Sequence, residues 1–423
     1  MKFAIRNGHV IDPASKFDGR ADVFLDAGRI VAIGGAPAQF TADGTLDATG
    51  LIVAPGLVDL CARMREPGVD GALKVESHAA LAGGITGVVC PPDTDPPLDE
   101  PGLIRMLRQR SREAAGARLY PLGALTAGLA GEALAEIETL AEVGCVAFAH
   151  TGSLPHDNSV LLQAMRYART FDLPIWLRPV DDTLAGRGVA AAGAVAGRLG
   201  LASIPEVAET VALHTVFELQ RSTGARVHLC RLSSSGGVEL VRRAKREGLP
   251  VTCDVGIHHV HLIDVDIGYF ESNFRLDPPL RSGRDRDAIR VGLVDGTIDA
   301  ICSDHTPVDA DAKLLPFDEA APGATALETL LPLVLKWASE NKIPMLDALG
   351  KVTSTPAQIL AEPTGRLAVG AKADICIFDP GEAWRPAAVE LVSHGKNTPF
   401  SSYELLGRTR YTLVGGEVRF ARK

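Results

Sequence analysis

Through the middle of the chain, short apolar runs alternate with amphipathic segments at the spacing expected of βα units. Eight runs are candidate strands, at residues 56–59, 85–90, 117–122, 145–149, 174–177, 226–230, 250–255 and 298–303. Helical patterns lie between most of them and after the last, at residues 103–115, 159–170, 205–222, 237–247, 324–339 and 345–350. Eight strands alternating with helices predict an α/β fold built on a parallel (β/α)8 barrel.

The two ends of the chain have a different pattern, in which apolar and polar residues alternate around turn signals. Within residues 1–53, Asn7-Gly8 and Ala27-Gly28 are typical of hairpin turns and predict a small antiparallel sheet. Residues 365–423 have the same character, and the termini of a domain often lie close together. We therefore predict one discontinuous β-sandwich domain, residues 1–53 and 365–423, with the barrel, residues 54–364, inserted between its halves.

Length and charge narrow the functional classes. The chain has 423 residues with 46% apolar residues, enough for a barrel with an added sheet domain. Its net charge of −9 and the absence of a basic tract argue against a nucleic-acid partner. No run reaches the ~18 apolar residues of a membrane span, and the first residues are charged too early for a signal peptide. We expect a cytoplasmic protein without a membrane partner.

The cysteines indicate a reducing compartment. There are seven, an odd number, and no Cys-x-x-Cys motif is present. Most of them end apolar runs, which is typical of buried thiols on strands and not of a disulfide framework.

One stretch, residues 55–68, organises the predicted site. It reads Pro-Gly-Leu-Val-Asp-Leu-Cys-Ala-Arg-Met-Arg-Glu-Pro-Gly, an apolar run that becomes polar within two residues. This pattern predicts a buried strand that delivers side chains to a loop at its carboxyl end, where (β/α)8 barrels carry their chemistry. Cys61 and Arg63 alternate there and should share a face.

The stretch resembles the dihydroorotase family of the amidohydrolase superfamily, which carries Asp-x-His-x-His and then Leu-Arg-Glu-Pro-Gly. Residues 82–97 match the family's Gly-Gly-(Phe/Ile)-Thr-x-Val-Val-Cys-Met-Pro-Asn-Thr-x-Pro. Further matches, in family order, are Asp277-Pro-Pro-Leu-Arg281, Asp295-Gly-Thr-Ile-Asp299 and Ser303-Asp-His-Thr-Pro307. The resemblance covers nearly the whole chain and implies a TIM-type barrel of the amidohydrolase type with a small β-sandwich.

The resemblance also implies two zinc ions at the barrel mouth, where they lower the pKa of a bridging water from ~15.7 towards ~7. Their ligands are imidazoles and carboxylates. Here, five ligand positions hold other residues and only Asp304 is retained; the five are Cys61, Arg63, Thr151, Arg178 and Arg231. Because arginine has no lone pair to donate, we predict no metal, no cofactor and no catalytic residues at this degenerate site.

Three arginines in a former metal site need compensating charge. A buried cation costs several kcal/mol unless it is paired, and breaking a buried pair costs ~3–5 kcal/mol. We therefore expect these arginines to contact Asp304 and nearby carboxylates such as Asp181 or Asp254. The alternative is that the guanidinium groups point out to solvent.

The resemblance further implies a clamp for the substrate carboxylate, made in the family by an arginine, an asparagine and a histidine. Arg65 is retained, but the other two positions hold Asp93 and Val308. We expect Asp93 to pair with Arg65 and to repel a substrate carboxylate. No functional substrate-binding residue is therefore predicted.

Three other segments could carry chemistry. His258-His-Val-His261 could be a metal cluster, although neighbouring histidines more often pack or cap. Cys61 could be a nucleophile with His150 or His305 as its base. Residues 233–237, Ser-Ser-Ser-Gly-Gly, resemble a phosphate loop only loosely and should cap a helix.

Two functions compete. The first is a catalytically inactive dihydroorotase homologue in de novo pyrimidine biosynthesis. It would resemble the non-catalytic chain that accompanies the aspartate transcarbamoylase catalytic chain in bacteria, which implies a heteromeric dodecamer and self-association. The second is a metal-independent ligand-binding protein or enzyme that reuses the arginine-lined barrel mouth.

Overall fold

The computed structural model describes residues 2–422. The strands are β1 (Lys2–Arg6), β2 (His9–Asp12), β3 (Phe17–Arg20), β4 (Asp22–Asp26), β5 (Arg29–Gly34), β6 (Gly44–Asp47), β7 (Ile52–Pro55), β8 (Leu57–Asp59), β9 (Ile85–Cys90), β10 (Arg118–Ala124), β11 (Ala147–His150), β12 (Ile175–Leu177), β13 (Ala190–Ala191), β14 (Ser203–Ile204), β15 (Val227–Leu229), β16 (Val251–Gly256), β17 (Ala300–Cys302), β18 (Ile375–Trp384), β19 (Leu405–Val414) and β20 (Glu417–Ala421).

The α-helices are α1 (Ala72–Ala82), α2 (Pro101–Ala114), α3 (Ile137–Glu142), α4 (Asn158–Thr170), α5 (Asp182–Ala185), α6 (Ala194–Leu199), α7 (Val207–Thr223), α8 (Ser235–Arg246), α9 (Ile257–His261), α10 (Gly283–Asp295), α11 (Ala310–Lys313), α12 (Leu330–Asn341), α13 (Met345–Gly350) and α14 (Ser354–Ile359). None of the helices within residues 2–422 combines the length and the hydropathy needed to cross a bilayer.

The middle of the chain forms the predicted barrel. Eight parallel strands lie in the order β8, β9, β10, β11, β12, β15, β16 and β17. The two ends of this sheet approach each other through a parallel bridge between Ala62 and His305, where the Arg63 amide donates to the His305 carbonyl oxygen at 2.9 Å. Each of the eight predicted runs overlaps one of these strands, so the prediction of a TIM-type (β/α)8 barrel is confirmed.

Alternation along the barrel strands separates two apolar layers. Val58, Val89 and Trp176 belong to a cluster inside the barrel, whereas their neighbours Leu57 and Val88 belong to the cluster packed against the helices. Successive residues of a strand point to opposite faces, so each strand is buried on both sides.

The amino-terminal residues form one further sheet, and both ends of the chain contribute to another. One has the order β5-β4-β1-β6 and the other β20-β19-β18-β7-β2-β3. A shared core joins residues of both sheets, among them Ile5 and Leu25 from the first and Val53, Ile375 and Leu413 from the second.

The details of these sheets differ from the simple antiparallel sheet that the sequence predicts. β1 pairs with β6 and β2 pairs with β7 in parallel. Asn7-Gly8 does not form a hairpin, because β1 and β2 lie in different sheets and the chain crosses between them there. Ala27-Gly28 does turn between antiparallel β4 and β5, with φ of 47° and 77°.

Candidate functional site

The carboxyl ends of the barrel strands bring together the residues that the sequence singles out. Arg63 follows β8, Arg178 follows β12, Arg231 follows β15 and Asp304 follows β17. Arg231 and Asp304 have φ of 58° and 49°, a left-handed conformation that costs energy for residues other than glycine. The backbone turns sharply at these strand ends, and the two side chains meet inside the mouth.

Arg231 and Asp304 form the central ion pair. Arg231 Nη1 lies 3.1 Å from Asp304 Oδ1 and also donates to the Asp277 carbonyl oxygen at 3.3 Å. The side chains are only 4% and 9% exposed, so the pair is nearly dry. Arg63 Nη1 adds a second cation at 3.6 Å from the same carboxylate oxygen.

Arg63 is held mainly by Asp93. Its Nε and Nη2 lie 3.0 and 2.7 Å from Asp93 Oδ2, and its Nη1 donates to Thr306 Oγ1 at 2.9 Å. Burial raises the pKa of Asp93, but the Arg63 guanidinium outweighs burial and leaves that pKa below its usual range.

Arg178 is paired with Asp277. Both terminal nitrogens of Arg178 contact the two carboxylate oxygens of Asp277, and Nη1 also donates to the Gly152 carbonyl oxygen at 3.0 Å. Burial raises the pKa of Asp277, while the charge and hydrogen bonds of Arg178 lower it to a value below its usual range.

The predicted pairing is therefore correct for Asp304 and wrong for two other carboxylates. Asp181 caps α5, where it accepts from the Leu184 amide at 3.0 Å. Asp254 accepts from the backbone amide of Arg231 at 2.6 Å and does not contact its guanidinium group. Asp277 was missed, although it opens the Asp277-Pro-Pro-Leu-Arg281 motif that the resemblance already identifies.

The expectation for the substrate clamp is also wrong in its pairing. Asp93 contacts Arg63, whereas Arg65 Nη1 and Nη2 bind Asp309 at 2.7 and 2.9 Å. Asp309 lies on the surface and Arg65 faces it, away from the central pair. Val308 only donates its amide to Asn397 Oδ1, at 3.1 Å.

Cys61 and Thr151 complete the positions where the resemblance implies metal ligands. Cys61 Sγ lies 3.8 Å from Asp304 Oδ1, and burial raises the pKa of the thiol, which keeps it protonated. Thr151 follows β11 and is half-buried. Within residues 2–422 its side chain makes no hydrogen bond to the arginines of the mouth.

Neither His150 nor His305 is placed to act as a base for Cys61. His150 Nδ1 lies 3.3 Å from Thr126 Oγ1. His305 Nε2 contacts Glu76 at 3.0 Å, and its Nδ1 accepts from the Ala326 amide at 3.1 Å. Both imidazoles are bound elsewhere, so the arrangement does not support a Cys-His nucleophile.

The other two segments have structural roles. On α9, His261 Nε2 lies 2.9 Å from the Leu333 carbonyl oxygen and His258 stacks on Phe400. Burial lowers the pKa of His258 to about 3 and that of His261 to about 4. Ser234 caps α8 by accepting from the Gly237 amide at 3.0 Å, which confirms the helix-cap interpretation of residues 233–237.

The donors at the mouth do not fit a binuclear zinc centre. Guanidinium groups stand where imidazoles would be needed, and each is committed to a carboxylate. One other group of residues is of types that bind metals: ligand atoms of His228, Cys230 and Asp254 fall within 4.8 Å of one another. His228, however, is bound through Nε2 to Asp254 at 3.0 Å and through Nδ1 to Thr252 at 2.8 Å.

Cys230 makes that group a poor metal site as well. Burial raises the pKa of its thiol far above the usual value, and a metal ligand must be the thiolate. The neighbouring Arg231 cation also opposes a dication at this position.

Comparisons with known proteins agree with this architecture. A family model for dihydro-orotase-like proteins matches residues 50–236, and one for the amidohydrolase family matches residues 181–419. A dihydroorotase-like protein of Pseudomonas aeruginosa is 45% identical over 99% of both chains, and one of Pseudomonas putida is 43% identical over 99% of both chains. A dihydroorotase of Syntrophotalea carbinolica is 38% identical, again over 99% of both chains.

Solved structures show the same fold. L-hydantoinase from Arthrobacter aurescens superposes with a TM-score of 0.87 at 23% identity, covering 98% of this chain and 95% of that one. From the family matches and these relatives, the chain belongs to the amidohydrolase family, among its dihydroorotase-like proteins.

Proposed function

We propose that the chain is a catalytically inactive dihydroorotase homologue that acts as a structural subunit of an aspartate transcarbamoylase complex in de novo pyrimidine biosynthesis. One observation carries the inactive part of this proposal. Three former ligand positions hold arginines whose guanidinium groups are paired with Asp93, Asp277 and Asp304. Hydrolysis in this family needs metal-activated hydroxide, which such a site cannot generate.

An intact scaffold supports a role for shape and surface. The loops that follow β15 and β17 are anchored by buried carboxylates, such as Glu209 beneath Ser233 and Ser234 and Asp59 beneath Ser303. A fold that keeps its loops without its hydrolytic centre is what a structural subunit requires.

Two strongly exposed apolar side chains on segments that contact each other support a partner. Tyr269 is 90% exposed and Leu314 is 82% exposed. Their segments contact each other, because Ser272 Oγ donates to the Lys313 carbonyl oxygen at 2.5 Å and Lys313 Nζ donates to the Ser272 carbonyl oxygen at 2.9 Å. Large exposed apolar side chains grouped on one surface are typical of protein interaction sites.

The partner can be tested by mixing the purified chain with the aspartate transcarbamoylase catalytic chain of the same organism. Size-exclusion chromatography with light scattering should show one heteromeric species. A complex that survives this dilution should bury at least ~1,200 Å² per interface. The double variant Tyr269→Ser/Leu314→Ser should weaken the complex, whereas Val389→Ser, at an equally exposed valine elsewhere, should not. Separate peaks, with transferase activity and stability indifferent to this chain, would refute the partnership.

Inactivity is tested separately. Neither the natural chain nor Arg63→His should interconvert dihydroorotate and carbamoyl aspartate above a heat-killed control, because four other ligand positions stay changed. Turnover by either protein would contradict the proposal.

A second candidate, ligand binding at the mouth without hydrolysis, has one observation in its favour. The buried Nε atoms of Arg178 and Arg231 have no hydrogen-bond partner among the described residues. A small carboxylate could accept from them. Saturable binding of carbamoyl aspartate by calorimetry, lost in Arg178→Gln and without turnover, would favour this candidate.

A further inference from the structure

A second charged cavity lies at the opposite end of the barrel from the mouth. It has a volume of about 430 Å³, within the range of small-molecule sites. Its wall includes the last turns of α2, the start of β10 at Arg118 and, from the sheet domain, Lys372 and Arg419. The cavity therefore sits between the amino-terminal ends of the barrel strands and the sheet domain.

Positive charge is concentrated in this cavity. Five cationic side chains line it, and Glu362 is the one carboxylate among the lining residues; the cations are Arg108, Arg112, Arg118, Lys372 and Arg419. Arg118 pairs with Asp374, and Arg419 pairs with Glu417. Even when these two carboxylates and Glu362 are all counted, two positive charges remain in excess, in a chain whose net charge is −9.

Three of the cations have no carboxylate partner within residues 2–422; Arg108 donates to a backbone carbonyl, whereas the side chains of Arg112 and Lys372 make no hydrogen bond in that part of the chain. Neither Arg112 nor Lys372 has a carboxylate oxygen within 4.0 Å in that part of the chain. Both can turn towards a ligand without breaking an ion pair.

Two other cations are held in place by the fold. Arg108 Nη1 donates to the Val143 carbonyl oxygen at 2.6 Å, and a Cβ at Gly144 would lie only 2.0 Å from that nitrogen. Arg118 is oriented by two hydrogen bonds to Asp374, at 3.1 and 3.2 Å. Positioned guanidinium groups suit a planar or tetrahedral oxyanion, which accepts two of their N–H groups at once.

From this cavity, its excess charge and its positioned arginines, we propose that the chain binds a small phosphorylated molecule between the barrel and the sheet domain. The site is distinct from the degenerate mouth and does not depend on the proposed subunit role. A cleft of about 430 Å³ favours a small polyanion, and the chain's net charge of −9 disfavours nucleic acid.

The test is isothermal titration calorimetry of the full chain with pyrophosphate, orthophosphate and ATP at low ionic strength. The double variant Arg112→Gln/Lys372→Gln removes the two lining cations that have neither a carboxylate nor a hydrogen-bond partner among the described residues. Its matched control, Arg187→Gln/Arg246→Gln, removes the same net charge from exposed positions outside the cavity. Circular dichroism and melting temperature should confirm that both double variants are folded.

We expect saturable binding of pyrophosphate or ATP by the natural chain. The cavity variant should bind at least about tenfold more weakly, whereas the control should change by less than about twofold. If both double variants bind equally more weakly than the natural chain, the loss reflects only the lower net charge of the protein, and the proposal is overturned. Absence of saturable binding of all three probes by the natural chain would overturn it as well.

Discussion

Two sets of carboxylates at the top of the barrel are stabilised in different ways. The mouth carboxylates face guanidinium groups; they are Asp93, Asp277 and Asp304. The scaffold carboxylates face backbone amides, hydroxyls or an imidazole; they are Asp59, Glu76, Glu209 and Glu328. The first set lies at the positions where the resemblance implies metal chemistry, and the second holds the surrounding loops.

Glu209 illustrates the scaffold set. It accepts from the amides of Ser233 and Ser234 at 3.0 Å each, and from their hydroxyls at 2.5 and 2.6 Å. These contacts need nothing from the mouth. Substitutions in the mouth can therefore alter the chemistry of the site while the loops that frame it keep their positions.

The largest expected effect comes from breaking the mouth set. Asp304→Ala leaves the buried Arg231 guanidinium without its carboxylate and should lower the free energy of unfolding by ~3–5 kcal/mol, measured by urea denaturation. Asp309→Ala, which breaks the surface pair with Arg65, is the matched control and should cost only ~0–1 kcal/mol. Equal stability of Asp304→Ala and the natural chain would show that Arg231 finds its charge balance elsewhere.

A smaller loss is expected from the scaffold set. In Glu209→Gln, the amide NH2 faces N–H and O–H groups that donate to Glu209 in the natural chain. This variant should lower the free energy of unfolding by ~2–3 kcal/mol, measured by the same urea denaturation. The Arg231–Asp304 pair should be unaffected, so its effect and that of Asp304→Ala should add. Strong non-additivity in the double variant would mean that the two sets are coupled.

The pH dependence of stability tests one scaffold carboxylate, Glu328, on its own. Burial raises its pKa to about 7, against 4.5 in an unfolded chain, so the folded protein binds this proton more tightly. That contribution to stability is complete below pH 4.5 and is lost as the pH rises through about 7. Relative to Glu328→Gln, the natural chain should lose on the order of 2 kcal/mol between pH 5 and 8. Parallel stability profiles for the two proteins would disprove the raised pKa.

The sequence was sufficient to predict the barrel, because each strand is a short apolar run with its own flanking turn signals. It also placed the three arginines at the mouth, since the motifs fix which residue follows each strand. The details of the sheet domain were harder. Whether Asn7-Gly8 closes a hairpin or carries the chain to another sheet depends on partners that are distant in sequence, such as β6 and β7.

Partners within the mouth could not be predicted by motif position alone. The resemblance places Asp93 and Arg65 in the same clamp. In the structure, however, Asp93 pairs with Arg63, and Arg65, with φ of 59°, pairs with Asp309. Such choices depend on backbone direction and side-chain reach, which periodicity does not encode. A local signal did exist for Asp277, because a carboxylate in a retained motif near the strand ends is a natural partner for a new cation.

Metal content tests the central claim most directly, because that claim is that ion pairs of arginines and carboxylates fill the mouth without zinc. The protein should be produced in zinc-supplemented medium, dialysed against a chelator and measured by elemental analysis. Structural zinc sites bind with apparent free energies of ~10–16 kcal/mol through deprotonated ligands, and neither the arginines nor the protonated Cys230 provides them. We expect far less than stoichiometric zinc; one or more zinc ions retained per chain would contradict the claim.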